Sequence, residues 1–148
     1  EGDRMTYCRK TWLEAASCAG IPTTEFYPND DGSLRARTRS REQVARICAA
    51  CPVRLWCLAE GLGDRWGMWG GAEPTTRREM TRSLSIDDVE RLQGAVREYA
   101  AAYEDHAIEA DLFEKYRIRP EWFYSVTRFT PGTTTVRLLR EAKEIRSA

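Results

Sequence analysis

Four cysteines among the first sixty residues constrain this chain more than any other feature of its sequence. They are Cys18, Cys48, Cys51 and Cys57, in the pattern C-x29-C-x2-C-x5-C. Four thiolates brought to one point form a soft, sulfur-only site, which suits an iron–sulfur cluster or a structural zinc ion. One of the four lies far upstream of the others, so a bound metal would join separate segments, and folding would be coupled to metal binding.

The spacing of the cysteines favours the cluster over zinc. Cys48 and Cys51 lie three residues apart at the end of a predicted helix, so their sulfurs can face one side. Cys57 can return to the same side after Pro52 restarts the chain. Zinc sites usually use two short-spaced pairs, and only one is present here. A zinc-stabilised interaction module remains the alternative interpretation.

Composition limits the class of protein. The chain has 148 residues, of which 31% are charged and 42% hydrophobic, as in ordinary globular proteins. No apolar run approaches the roughly eighteen residues of a membrane span, and no signal-peptide pattern is present at the start. We therefore expect a cytoplasmic protein without membrane contact. In that reducing compartment, clustered cysteines hold metal more often than they form disulfides.

The hydrophobic pattern predicts an all-α protein, because no segment alternates convincingly enough to be a strand. A capping box from Ser40 to Gln43 opens one helix, and Gly61 and Gly63 end another that begins after Pro52. The predicted helices are 11–19, 40–51, a short one after Pro52, 85–103, 108–116, 120–129 and 135–146. The apolar face predicted for 85–103 consists of Ile86, Val89, Leu92, Val96, Tyr99 and Tyr103.

Two domains are predicted, a cysteine domain over residues 5–82 and a helical extension over residues 83–148. Residues 84–114 carry nine acidic and two basic side chains, and residues 115–148 carry eight basic and three acidic ones. The helices 108–116 and 120–129 have the spacing of a helix-turn-helix, followed by a basic final helix. The alternative is a helical cap that packs on the cysteine domain through Trp122, Phe123, Tyr124 and Phe129.

Four motifs occur in order and carry a resemblance to a known family. They are Trp12-x5-Cys18, Phe26-Tyr27-Pro28, the run from Cys48 to Cys57, and Gly67-Met68-Trp69-Gly70-Gly71. Together they resemble the WhiB-like family of actinobacterial and actinophage transcription factors, over about residues 10–82. Met68 and Tyr27 depart from the commoner family residues but keep their bulk. Cys8 is an extra cysteine, and only Cys18 has the spacing to Trp12.

The resemblance implies a cofactor, a partner and a response. Family members hold a [4Fe–4S] cluster on four cysteines, which correspond to Cys18, Cys48, Cys51 and Cys57. Many bind region 4, the C-terminal domain of the principal sigma factor, and so act at promoters with RNA polymerase. The cluster reacts with oxygen and nitric oxide, so redox sensing is expected. The expected partner-binding residues are Trp12, Phe26, Tyr27, Trp69, Gly67, Gly70 and Gly71.

DNA contact is expected from basic residues after the Gly-rich turn and in the extension. Arg is the residue best suited to bidentate phosphate contact, although phosphate contacts alone do not specify sequence. Members of the family it resembles usually end in a short basic tail, sometimes with an AT-hook of Arg-Gly-Arg type, and this sequence has no such hook. The candidate DNA-binding residues are Arg77, Arg78, Arg82, Arg128, Arg137, Arg140 and Lys143.

Enzyme activity is not expected. A thiol-disulfide reductase could use Cys48-Ala-Ala-Cys51, but no thioredoxin-like βαβ pattern surrounds this pair. His106 is the only histidine and has no obvious catalytic partner in the sequence. No small-molecule substrate is therefore expected.

Overall fold

The computed structural model describes residues 15–19 and 34–132, and within the second range its side chains are described from residue 42 onward. These residues are helical and contain no β-strand, which confirms the all-α prediction. Within them, six α-helices and one short 3-10 helix follow in order. They are α1 (Leu34–Ala49), α2 (Arg54–Gly61), α3 (Pro74–Met80), α4 (Ile86–Ala101), a 3-10 turn (His106–Ile108), α5 (Glu109–Tyr116) and α6 (Pro120–Thr127).

Local sequence signals explain several of these helix starts. Helices α3 and α6 begin with Pro74 and Pro120, whose fixed φ suits a first helical position. Helix α4 begins with the predicted capping box. The Asp88 N–H donates to the Ser85 hydroxyl at 3.1 Å, and the Ser85 N–H donates to the Asp88 carboxylate at 3.2 Å. This exchange satisfies two backbone donors that would otherwise lack partners.

Other predicted helix bounds are wrong. Residues 15–19 form turns rather than the end of a helix, and the rest of the predicted 11–19 helix lies outside the described residues. Helix α1 is already helical at Leu34, so the Ser40 pattern lies inside it and does not cap its start. Helix α3 was not predicted, because Pro74 was not treated as a helix start. The predicted 135–146 helix also lies outside the described residues.

Among the described residues, one hydrophobic core includes side chains from both the cysteine half and the extension. Helix α2 packs on α4, which packs on α5 and α6, and α6 also contacts α2 and α3. Leu58 of α2, Val96 of α4 and Phe123 of α6 all belong to this core and are fully buried. The Phe123 ring meets Tyr99 edge to face, with centroids 5.0 Å apart. The extension therefore packs against the cysteine half, as in the cap interpretation.

The predicted burial of one face of α4 is confirmed in the middle of the helix and wrong at its two ends. Leu92, Val96 and Tyr99 are buried, whereas Ile86 and Tyr103 are 79% and 80% exposed. Ile86 is the first residue of the helix and lies beyond the packed part of the face. Tyr103 follows the helix end and has a left-handed φ of 55°, which takes it off the helical face.

The helix-turn-helix spacing is present, but α6 lacks the character of a recognition helix. Residues 117–119 join α5 to α6, and Arg117 is left-handed with a φ of 52°. Phe123 and Val126 face the core. None of the eight residues Pro120–Thr127 is Arg, Lys, Asn or Gln, the types that most often read base edges.

Candidate metal centre

The four cysteines come from separate parts of the chain and lie near enough for their charges to affect one another. Cys18 lies in the turn at 15–19, Cys48 in the last turn of α1, Cys51 in the link after it and Cys57 in α2. All four are free thiols. Cys48 is buried and the other three are half-buried. Residues 50–53 separate α1 from α2, and Cys57 lies in the first turn of α2.

The pKa values of the Cys18, Cys48 and Cys57 thiols are raised, and other cysteines contribute to each rise. Burial raises the pKa of the Cys57 thiol to about 12, and Cys48, Cys18 and Cys51 add to the rise. Burial, with Cys51 and Cys18, raises the pKa of Cys48 to about 11. The pKa of Cys18 is raised by burial and by Cys51. Negative charge on one sulfur thus disfavours charge on the next, as expected for neighbouring thiols.

Backbone N–H groups point at three of the sulfurs. The Ser17 N–H donates to the Cys51 Sγ at 3.4 Å, and the Gly70 N–H donates to the Cys57 Sγ at 3.3 Å. A backbone hydrogen bond from Gly71 lowers the pKa of Cys48 against the larger effect of burial. Such donors stabilise ligating sulfurs and tune the potential of iron–sulfur clusters.

Arg54 supplies positive charge beside the thiols. Its guanidinium is half-buried, and burial lowers its pKa. Glu104, Cys48 and Cys51 oppose that effect by favouring the charged form. Its Nη1 also donates to the Phe129 carbonyl at 3.2 Å. A cation held next to sulfur ligands favours their thiolate form.

The donor set fits a sulfur-ligated group. Four thiols, three backbone N–H donors and one guanidinium converge on one neighbourhood. A single tetrahedral zinc ion requires all its sulfurs within about 2.3 Å of one point. In the described part of the chain, no three His, Cys, Asp or Glu side chains are grouped closely enough for a single ion. The fit of these residues to a sulfur-ligated group therefore rests on the kinds of donor present and not on the distances between the sulfurs.

The Gly-rich turn lies directly on α2, and two of its glycines are required for that contact. Gly70 and Gly71 have left-handed φ angles of 59° and 81°. A Cβ on Gly70 would stand 2.6 Å from the Leu58 Cβ and 2.7 Å from the Arg54 carbonyl oxygen. Only glycine permits both the φ angle and the approach. The turn is closed by reciprocal hydrogen bonds between Trp69 and Ala72, of 3.2 and 3.0 Å.

Trp69 is partly packed within its own half of the chain. It is half-buried, and a Cβ on Gly61 would stand 2.2 Å from its Cβ. Its Nε1 donates to the Trp66 carbonyl at 3.0 Å. The neighbouring Trp66, which the sequence reasoning did not select, is 70% exposed. The signal for it was its position next to Gly67, just outside the recognised motif.

Arg77 is a structural residue, so its assignment to DNA is wrong. Its side chain is 1% exposed. The guanidinium donates to four backbone carbonyls of the turn, at 2.6 to 3.2 Å: Gly67, Ala72, Asp64 and Trp66. A phosphate cannot reach a group enclosed in this way. Arg77 instead fixes the path of the Gly-rich turn.

The remaining predicted residues divide into two groups. Arg78 and Arg82 are exposed, and the Arg82 Nη1 lies 3.8 Å from the Glu79 Oε2. Arg128 is exposed and stacks on the Tyr124 ring at 4.1 Å. Those outside the described residues are Cys8, Trp12, Phe26, Tyr27, Arg137, Arg140 and Lys143.

His106 has partners that the sequence did not indicate. Its Nδ1 lies 2.5 Å from a Glu109 carboxylate oxygen and 3.1 Å from the Tyr99 hydroxyl. These contacts belong to the extension and involve no thiol.

In the described ranges, no helix is both long and apolar enough to cross a membrane.

The fold and the site define a helical protein with four neighbouring thiols under a Gly-rich turn. A family model described as "Transcription factor WhiB" matches residues 12–80. The Transcriptional regulator WhiB of Streptomyces coelicolor is 34% identical over 74 residues, which cover 49% of this chain and 77% of that protein. The chain therefore belongs to the WhiB family.

Two further relatives give the same family. The Transcriptional regulator WhiB2 of Mycolicibacterium smegmatis is 36% identical over 75 residues, covering 49% of this chain and 53% of that protein. The Redox- and pH-responsive transcriptional regulator WhiB3 of Mycobacterium tuberculosis is 31% identical over 68 residues, covering 45% and 67%. The chain thus spans about half the length of the Mycolicibacterium relative. No solved structure matches it significantly.

Proposed function

We propose that this protein is a transcription regulator that holds a [4Fe–4S] cluster on Cys18, Cys48, Cys51 and Cys57. The observation that carries the proposal is the gathering of four thiols and three backbone N–H donors in a chain of the WhiB family. When bound, the cluster supplies a redox-active, oxidant-sensitive group. The four cysteines would hold it, and the Gly-rich turn would donate the Gly70 and Gly71 N–H groups to two of its sulfur ligands.

The proposed partner is region 4 of the principal sigma factor, and through it RNA polymerase. Support comes from the family and from the stiffness of the turn that carries the candidate contact residue Trp69. Arg77 holds four carbonyls in and around that turn, and the Gly70 N–H donates to the Cys57 Sγ, so the turn that carries Trp69 is in direct contact with the site. Oxidants or nitric oxide would change binding by changing the cluster.

DNA contact is proposed for the exposed arginines Arg78 and Arg82, with Arg128 and the basic residues Arg137, Arg140 and Lys143. Arginines on a surface raise affinity for the DNA backbone without specifying sequence. Because α6 lacks base-reading side chains, we propose that sigma binding, rather than α6, supplies promoter choice.

The experiment that tests this function is an oxygen-free pull-down with the isolated sigma region 4 as bait. We expect the cluster-loaded chain to bind and the same chain, stripped of iron, to lose binding. Trp69→Ala should weaken binding at unchanged iron content, because it removes an aromatic anchor. Equal capture of loaded and stripped protein would contradict the proposed coupling. No capture of the loaded protein would contradict the partner.

The matched control is Trp56→Phe, a half-buried tryptophan of α2 that is not among the proposed partner contacts. It should keep both iron and binding. Loss of iron in Trp69→Ala would instead make Trp69 a structural residue of the turn.

A further inference from the structure

The end of the described extension returns to the cysteine site. A Cβ built on Gly71 would lie 2.6 Å from the Pro131 Cβ and 3.1 Å from the Cys48 Cβ. Pro131 and Cys48 therefore flank the same small gap, with Gly71 between them. Pro131 lies 51 residues beyond the family match, which ends at residue 80. This part of the wall comes from the extension.

The segment is anchored on the core side by Phe129. That side chain is 3% exposed, and it belongs to the core that α2, α4 and α6 share. The Phe129 N–H donates to the Val126 carbonyl at 3.3 Å, which continues the last turn of α6. The path from α6 to Pro131 is thus only a few residues long and begins at a buried aromatic ring.

Arg54 anchors the segment on the side of the site. Its Nη1 donates to the Phe129 carbonyl at 3.2 Å. The same guanidinium interacts with the charges of Cys48 and Cys51. It also interacts with Glu104, in the turn after α4. Arg54 of α2 therefore holds the Phe129 end of the segment by a hydrogen bond, close enough to Cys48 and Cys51 for their charges to act on it.

We propose that residues 129–131 form a strap that closes the Cys48 side of the site, held there by Arg54. The strap limits access of dissolved oxidants and chelators to the group that the cysteines hold. Arg54 and Pro131 are positioning and shielding residues in this account, not ligands. The inference rests on the proposed cluster, and it adds a function to the extension that needs no contact with DNA.

The test uses the full chain, purified without oxygen, with iron content measured first. In air-equilibrated buffer, Pro131→Ala and Arg54→Met should lose absorbance near 400 nm at least about threefold faster than the unmodified protein, because each removes a contact that keeps the strap closed. Iron capture by a soluble chelator without oxygen should accelerate in the same order. Arg54→Lys keeps the charge and a donor, so it should restore part of the protection.

The matched control is Pro120→Ala, which changes an exposed proline of the same extension at the start of α6. It should decay at the unmodified rate. Decay of Pro131→Ala and Arg54→Met at that same rate, with full iron, would overturn the strap.

A second readout separates the strap from the cluster. In iron-free chain, alkylation of Cys48 by N-ethylmaleimide, followed by mass spectrometry, should also be faster in Pro131→Ala than in Pro120→Ala. If the purified chain never contains iron, the proposed function is contradicted. The alkylation rate of Cys48 then tests the strap by itself. Equal alkylation rates would then overturn it.

Discussion

Arg77 holds the path of the Gly-rich turn, and that turn donates N–H groups to Cys57 and Cys48. The cysteines could be selected from spacing alone, because a four-thiol pattern has few alternative explanations. Arg77 was misassigned because an arginine after a turn gives the same pattern whether it faces solvent or folds back on the turn. Its role depends on four carbonyls that only the folded turn brings together.

The neighbouring pair Arg77 and Arg78 gives a direct test at this scale. Arg77→Ala removes the donor for four carbonyls and should lower the free energy of unfolding by at least about 3 kcal/mol. Arg78→Ala, on the exposed side of α3, should change it by no more than about 0.5 kcal/mol. Urea unfolding followed by tryptophan fluorescence measures both. Similar small losses in the two variants would show that Arg77 does not hold the turn.

At the scale of elements, helices with explicit end signals were predictable and those without were not. The capping box of α4 and Pro120 of α6 placed two starts correctly. Ser40 gave the same kind of signal, yet α1 runs through it. A residue that can cap a helix need not mark its start, because the backbone hydrogen bonds of the helix can continue through that position.

The capping box of α4 carries a prediction about stability. Ser85→Ala should lower the free energy of unfolding by about 1 kcal/mol, because the Asp88 N–H loses its acceptor. Ser83→Ala, in the exposed turn before it, is the control and should be neutral. Thermal unfolding by circular dichroism measures the difference. An equal midpoint for the two variants would mean that α4 is held by packing alone.

The same box has a pH dependence with a definite sign. Hydrogen bonds from Ser85, opposed by partial desolvation and aided by Arg91, hold the pKa of Asp88 below its ordinary value of 3.8. A lowered folded-state pKa stabilises the protein above the ordinary value, and that contribution is lost as the pH falls through the folded pKa. The free energy of unfolding of the unmodified protein, measured by urea titration, should therefore fall in that acidic range, and only the part of the Ser85→Ala effect that comes from the hydroxyl bond to Asp88 should shrink there.

At the scale of the whole molecule, the sequence does not predict that the cysteine half and the extension share one hydrophobic core. The division into residues 5–82 and 83–148 followed a change in composition, and it stays a prediction about domains. Long-range packing decides whether two segments fold together, and amphipathic periodicity shows only that each helix has a face to bury. Here Leu58 of α2 and Phe123 of α6 are buried in one cluster.

A core substitution far from the cysteines in sequence tests this unity. Phe123→Ala should lower the free energy of unfolding by about 3 to 5 kcal/mol. Because the core is shared, tryptophan fluorescence and visible absorbance should be lost in one transition at a lower midpoint. Ile86→Ala, at a position 79% exposed, is the control. If the absorbance midpoint stayed unchanged while the fluorescence midpoint shifted, the two halves would be independent.

The central claim concerns what the four thiols hold, and metal analysis of the oxygen-free protein tests it most directly. The account predicts a brown protein with broad absorbance near 400 nm and about four iron per chain. Serine at Cys18, Cys48, Cys51 or Cys57 should each abolish the colour, whereas Cys8→Ser should keep it. A colourless protein with about one zinc per chain would contradict the account.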